Sequence, residues 1–186
     1  MQEFRIQGNG FRMISLLNVF VDILRLRAGP EDLPTSNRLL WGCFALLIAL
    51  QAGLGAWLMP QERSILPQAI VSGLASLGWL ALILRLFGKS ERFTQTATAT
   101  LGIACLFAPI SIPVIAQVRP DASGVVTFSP LALFAFAVSL FLIYVNGRIL
   151  RAAIERPLFQ CIVLFLLGEF MVFALMVTLG FADTAA

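Results

Sequence analysis

The sequence has no histidine and little charge: only 12% of its 186 residues are Asp, Glu, Lys or Arg. Without histidine, the chain has no imidazole for acid–base catalysis and none of the histidine ligands common in zinc, iron and haem sites. Soluble domains carry about 25% charged residues. Half that charge excludes a soluble domain, a disordered chain and a nucleic-acid-binding protein.

Cysteine is also scarce, and its three occurrences are far apart. Cys43, Cys105 and Cys161 fall in three different apolar runs, with no C-x-x-C spacing. This pattern fits neither a disulfide framework nor a metal site. We therefore expect three small, buried core residues, and we predict no metal and no cofactor.

Apolar residues are abundant, at 59% of the chain, and the mean hydropathy is +0.92. A helix needs about 20 mostly apolar residues to cross a bilayer. The sequence predicts an all-α integral membrane protein of five transmembrane helices, joined by connections too short to hold a soluble domain. The five predicted spans are 39–59, 65–84, 96–117, 128–146 and 158–181.

The positions of Lys and Arg predict the orientation. Five arginines precede the first span, and the later connections and the tail then carry one, three, one, three and no bases. Bases prefer the cytoplasmic side. The segment 1–38 is therefore predicted to be cytoplasmic and the tail 182–186 external, in a multi-pass membrane protein.

The segment 11–27 predicts an amphipathic helix on the cytoplasmic surface of the membrane. Its polar residues recur at steps of three and four and so form one stripe of a helix. Two alternatives fit less well: a signal peptide would need a neutral cleavage site, and a sixth span would bury charge in lipid. The stripe consists of Arg12, Ser15, Asn18, Asp22 and Arg25.

Glu169 is the sharpest feature of the apolar spans, because it lies near the centre of the last one. Counted from the cytoplasmic side, Gln51 and Ser76 lie at a similar depth, and Ser139 lies slightly nearer the cytoplasm. Together they predict a polar layer. Glu169 is then either a proton, cation or headgroup site, or a protonated acid that joins helices or faces a partner subunit.

Two prolines four residues apart, Pro109 and Pro113, interrupt the third span. Proline removes a backbone donor and bends a membrane helix. The bend either lines a cavity or only shapes the packing, and the sequence leaves both alternatives open.

Three bases cluster between the last two spans, at Arg148, Arg151 and Arg156. Such a cluster is a candidate contact for anionic lipid headgroups. It is equally explained by the orientation signal alone.

Two segments resemble the Ypt-interacting-protein (Yip-type) membrane family, in particular its small bacterial members. They are 20–34, which reads FVDILRLRAGPEDLP, and the loop 87–96, which reads FGKSERFTQT and leads into a proline-bearing span. The resemblance implies five spans with a cytoplasmic amino terminus and, from the small bacterial members, location in a bacterial inner membrane. It also implies a scaffold or accessory role and no catalytic residues, since the eukaryotic relatives act in membrane trafficking by binding small GTPases and other membrane proteins.

The favoured function is a small, non-catalytic membrane subunit or scaffold. Its expected partners are the lipid bilayer and other transmembrane helices, either of another protein or of a homo-oligomer. The alternative is a proton- or ion-coupled transporter component that uses Glu169. An enzyme is the least favoured class, because the exposed stretches contain no serine–base pair, carboxylate pair or metal cluster.

Overall fold

A computed structural model describes the backbone of residues 9–58, 65–117 and 130–181 and the side chains of 16–58, 65–114 and 130–181. The predicted external tail and the bases Arg63 and Arg119 lie outside these ranges. Within them the chain forms only α-helices and two single 3-10 turns, at Pro30–Asp32 and Ser90–Arg92. The α-helices are α1 (Asn9–Leu24), α2 (Asn37–Leu58), α3 (Ile65–Leu86), α4 (Phe93–Gln117), α5 (Pro130–Ile154) and α6 (Leu158–Thr178).

The helices α2 to α6 are long and apolar enough to cross a membrane, which confirms the five predicted spans and the all-helical fold. The largest difference in bounds is at α5. This helix continues to Ile154, whereas the apolar stretch ends at 146. Hydropathy marks where the apolar side chains stop, but a helix continues until its backbone is interrupted.

The five long helices form a closed ring. Following the helix contacts around it gives the order α2, α3, α6, α5, α4 and back to α2. Neighbours in the chain are thus neighbours in the ring, except α3 and α4, and the ring is completed by α6 packing on α3 and α4 packing on α2. The pair α2 and α4 has the most extensive contact, and α4 also touches α3 across the ring.

The ring is packed most tightly where α3 and α5 end and where α2, α4 and α6 begin. We call this the basic end, because Arg85, Lys89, Arg92, Arg148, Arg151 and Arg156 lie there. Its core contains Leu84 and the first turns of α4, where Ala97 and Thr98 are fully buried. The hydroxyl groups of Thr96 and Thr98 donate to the carbonyls of Arg92 and Thr94, four residues earlier, which satisfies these buried polar groups locally.

The opposite end is much more open. All the buried residues of α5 lie between Val145 and Ile154, whereas Leu133, Phe134 and Phe136 in its first half are exposed. Large exposed apolar side chains of this kind suit contact with lipid or with another membrane helix.

The helix α1 packs on α4, with Phe20 and Ile23 buried in the core. The fit depends on Gly102, because a Cβ atom there would collide with the ring of Phe20. The helix covers most of the predicted segment 11–27. The side chains of Arg12 and Ser15 lie outside the described residues, so the predicted polar stripe stays a prediction.

Candidate functional site

A cavity of about 330 Å³ lies inside the ring, and all five long helices line it. Most of its wall is apolar, with leucine and isoleucine side chains from four of the helices. Polar side chains are interspersed from every helix. They are Gln51 of α2, Ser72 and Ser76 of α3, Thr96 and Thr100 of α4, Asn146 of α5 and Glu169 of α6.

The cavity brings together three of the four residues predicted to form a polar layer. Gln51, Ser76 and Glu169 all line it. Ser139 does not, because it lies on an exposed face of α5, where its hydroxyl donates to the carbonyl of Ala135 at 2.9 Å. The prediction rested on its depth along α5, and depth does not say which way a side chain faces.

Asn146 belongs to the site and was not predicted. Its Nδ2 donates to the carbonyl of Leu142 at 2.9 Å, while its Oδ1 is buried and finds no hydrogen-bond partner among the described residues. The sequence carried a signal for this position. Asn146 shares a helix face with Ile149 and Leu150, which also line the cavity.

The polar groups of the cavity do not satisfy one another. In the described part of the chain, no hydrogen bond joins Glu169 to Gln51, Ser76 or Asn146. Ser76 and Glu169 are exposed as well as lining the cavity, so the cavity opens on the side of α3 and α6. None of the basic residues that the structure describes lines it. It is therefore suited to a hydrogen-bond donor or a cation.

The wall between α3 and α6 is built around Trp79. Its indole Nε1 donates to the carbonyl of Leu164 at 3.1 Å, and its ring lies against Gly168. A Cβ atom at Gly168 would collide with the indole. Gly168 thus allows the close approach of the two helices that flank the opening of the cavity.

An ion-pair network closes the basic end. Arg92, before α4, contacts Glu155, between α5 and α6, with 2.8 Å between Nη2 and Oε1. Its Nη1 also donates to the carbonyls of Ala152 and Ala153, at 3.0 and 3.2 Å. Lys89 approaches the other carboxylate oxygen of Glu155 at 3.2 Å. The network ties the α3–α4 connection to the α5–α6 connection.

Glu155 occupies a backbone conformation that usually belongs to glycine, with φ of 57° directly after α5. Its interactions explain why a glutamate is found there. The hydrogen bonds from Lys89 and Arg92, reinforced by their charges, lower the pKa of its carboxyl group below the ordinary value of 4.5.

We predict that this carboxylate makes stability depend on pH. Because its pKa is lower in the folded protein, its contribution is fully present above about pH 4.5 and is lost as the pH falls through the lowered pKa. The difference in unfolding midpoint between the wild type and Glu155→Gln should be largest at neutral pH and disappear in acid. Thermal unfolding in a neutral detergent from about pH 7 to pH 3 measures it. A difference that is constant over this range would contradict the assignment.

The three predicted headgroup contacts surround one groove at the basic end. Arg148, Arg151 and Arg156 line it together with Ala152, Glu155 and Pro157, and its volume is about 620 Å³. The structure thus brings these three arginines together.

Two other sets of predicted residues lie away from the cavity. Pro109 and Pro113 are inside α4, beyond the part of that helix that lines the cavity. Cys43, Cys105 and Cys161 are buried and free. Among the described residues, no group of three or more acidic or cysteine side chains stands close enough to hold a metal ion.

Comparisons with protein-family models, with curated proteins and with solved structures gave no match for this chain.

Proposed function

We propose that this chain is a small, non-catalytic subunit or scaffold of a bacterial inner membrane, which associates with other transmembrane helices through Glu169. One observation carries the proposal. Glu169 lies near the middle of the most apolar helix, in which a window of 18 residues reaches a mean hydropathy of 2.5. It is exposed, and no described residue hydrogen-bonds to its carboxyl group.

An acid in this position needs a partner. An ionisable group at the centre of a bilayer costs several kcal/mol unless it is neutral, paired or hydrated. Within the described residues the chain supplies no partner, but it supplies an opening beside Glu169 and polar groups around it. A donor on a helix of another subunit would enter there and bond to Glu169 and Asn146.

The orientation follows from the bases. If the basic end faces the cytoplasm, the amino terminus is also cytoplasmic and α1 lies along the inner surface of the membrane. The layout and the two segments that resemble the Yip-type family are consistent with this arrangement and with an accessory role.

Replacement of Glu169 tests whether this residue anchors the chain to a partner helix. The particle released from native membranes by a mild detergent should be a complex of fixed stoichiometry. Glu169→Gln should preserve it, because the amide still forms hydrogen bonds, whereas Glu169→Leu should release the chain. Mass measurement of the particle distinguishes these results. Ser139→Leu is the matched control, since Ser139 is exposed and outside the cavity, and it should leave the particle unchanged.

A lone chain from wild-type membranes, or an intact complex with Glu169→Leu, would contradict the anchor. The cavity then favours a second candidate, a proton- or cation-coupled transporter component, because polar groups from all five helices line it around one acid. In that case Glu169→Gln should abolish the flux of protons or cations into vesicles and leave the assembly intact.

A further inference from the structure

We infer that the groove between α5 and α6 is a binding site for the phosphate group of an anionic phospholipid. The site is separate from the cavity and does not depend on the proposed partner of Glu169. Arg148, Arg151 and Arg156 line the groove.

The guanidinium groups of the groove are free to bind an anion. In the described ranges, neither Arg148 nor Arg151 has a carboxylate within ion-pair distance. Glu155 also lines the groove, but Lys89 and Arg92 already contact its two oxygens. The groove therefore keeps a net positive charge, and guanidinium groups match the geometry of phosphate oxygens.

The remaining arginine is held in place. The guanidinium carbon of Arg156 stands 5.4 Å from the centroid of the Phe87 ring, a cation–π contact. This contact orients Arg156 without neutralising it. The groove is thus partly organised before any ligand binds.

The start of α6 adds to the positive electrostatic potential of the groove. Pro157 lines the groove and precedes the first residue of α6, and it provides no side-chain cap. The free N–H groups and the positive end of the helix dipole therefore lie near the arginines.

The ligand is a lipid because an exposed apolar face begins where the groove ends. Phe159, in the first turn of α6, is 76% exposed, and Val163 and Leu166 continue the same face along the helix. A phosphate in the groove would place acyl chains along this face. Phosphate and lipid tail are thus both accommodated by one end of α6.

The test compares phosphatidylglycerol with phosphatidylcholine of the same acyl chains, added to the full chain in a neutral detergent. Phosphatidylglycerol should raise the unfolding temperature and phosphatidylcholine should not. Arg148→Gln/Arg151→Gln should weaken the apparent affinity for phosphatidylglycerol at least about tenfold. Arg38→Gln/Arg85→Gln removes the same charge from exposed positions outside the groove and should retain the affinity.

A second variant keeps the test informative if the glutamine pair does not fold. Arg148→Lys/Arg151→Lys retains the charge and should still bind less phosphatidylglycerol, counted by native mass spectrometry, since lysine lacks the planar fork. Equal effects of the two lipids, or equal losses in the groove and control variants, would overturn the site. Full stabilisation by inorganic phosphate alone would show that the phosphate group bound in the groove does not come from a lipid.

Discussion

Replacing Gly168 with alanine should destabilise the protein by about 1–3 kcal/mol, the usual cost of overpacking a core. The added Cβ atom would collide with the indole of Trp79. The ring would have to move, and its hydrogen bond to the carbonyl of Leu164 would lengthen or break. Because this contact forms the wall between α3 and α6, its loss should open the ring of helices at the cavity.

Gly78 offers the matched control for this substitution, since a Cβ atom there meets nothing within 4 Å. Gly78→Ala should be neutral or stabilising, as alanine is the better helix former. The unfolding midpoint in a mild detergent measures both. In a background with Trp41→Phe and Trp57→Phe, the fluorescence of Trp79 should shift only with Gly168→Ala. Equal stability of the two alanine variants would show that Trp79 does not set the distance between the helices.

Asn146→Leu should raise the unfolding free energy of the isolated protein by about 1–2 kcal/mol. The Oδ1 atom of Asn146 is buried and unpaired in the described structure, and an unsatisfied buried acceptor costs about 1–3 kcal/mol. Leucine removes that cost and fills apolar space beside Leu142 and Ile149. The same substitution should reduce the yield of the complex, because it removes a polar group from the proposed contact with the partner helix.

Titration with a denaturing detergent measures this stability, and Ser139→Leu is again the control. It makes the same kind of polar-to-apolar change on an exposed face of α5, where a surface substitution is expected to have an effect within about 0.5 kcal/mol. Destabilisation by Asn146→Leu would mean that the native Oδ1 already has a bonding partner in the cavity. That result would remove the reason for treating Asn146 as an available acceptor.

The spans were predictable because bilayer thickness sets a length that hydropathy can detect. The bounds of the helices were less predictable. The helix α5 carries Arg148 and Arg151 in its last turns, and the predicted span stopped before them at 146. Charged side chains at the end of a membrane helix extend into the headgroup region without breaking the backbone hydrogen bonds.

The sequence predicted part of the cavity lining, but not the direction in which each side chain faces. Counting residues along each helix placed Gln51, Ser76 and Glu169 at one level, and all three line the cavity. The same count included Ser139, which faces outward, and passed over Asn146, which faces inward. The direction in which a side chain faces depends on the rotation of its helix about the helix axis. That rotation depends on the helices that pack against it.

Hydropathy does not reveal which helices pack against each other. Nothing in the periodicity of α3 predicts that it packs against α6, and the contact rests on Trp79 and Gly168. The network of Arg92 with Glu155 was missed for the same reason, since its two residues belong to different connections of the chain.

The place of α6 in the ring has a consequence for how the protein is made. Spans leave the ribosome in chain order, so the side of α3 that packs on α6 faces lipid until α6 is inserted and closes the ring. Until then the cavity lacks the wall that α6 forms, although α4 already packs on α2 and touches α3. The cavity is therefore completed by the last insertion step, and α6 supplies both the closing wall and the acid beside the opening.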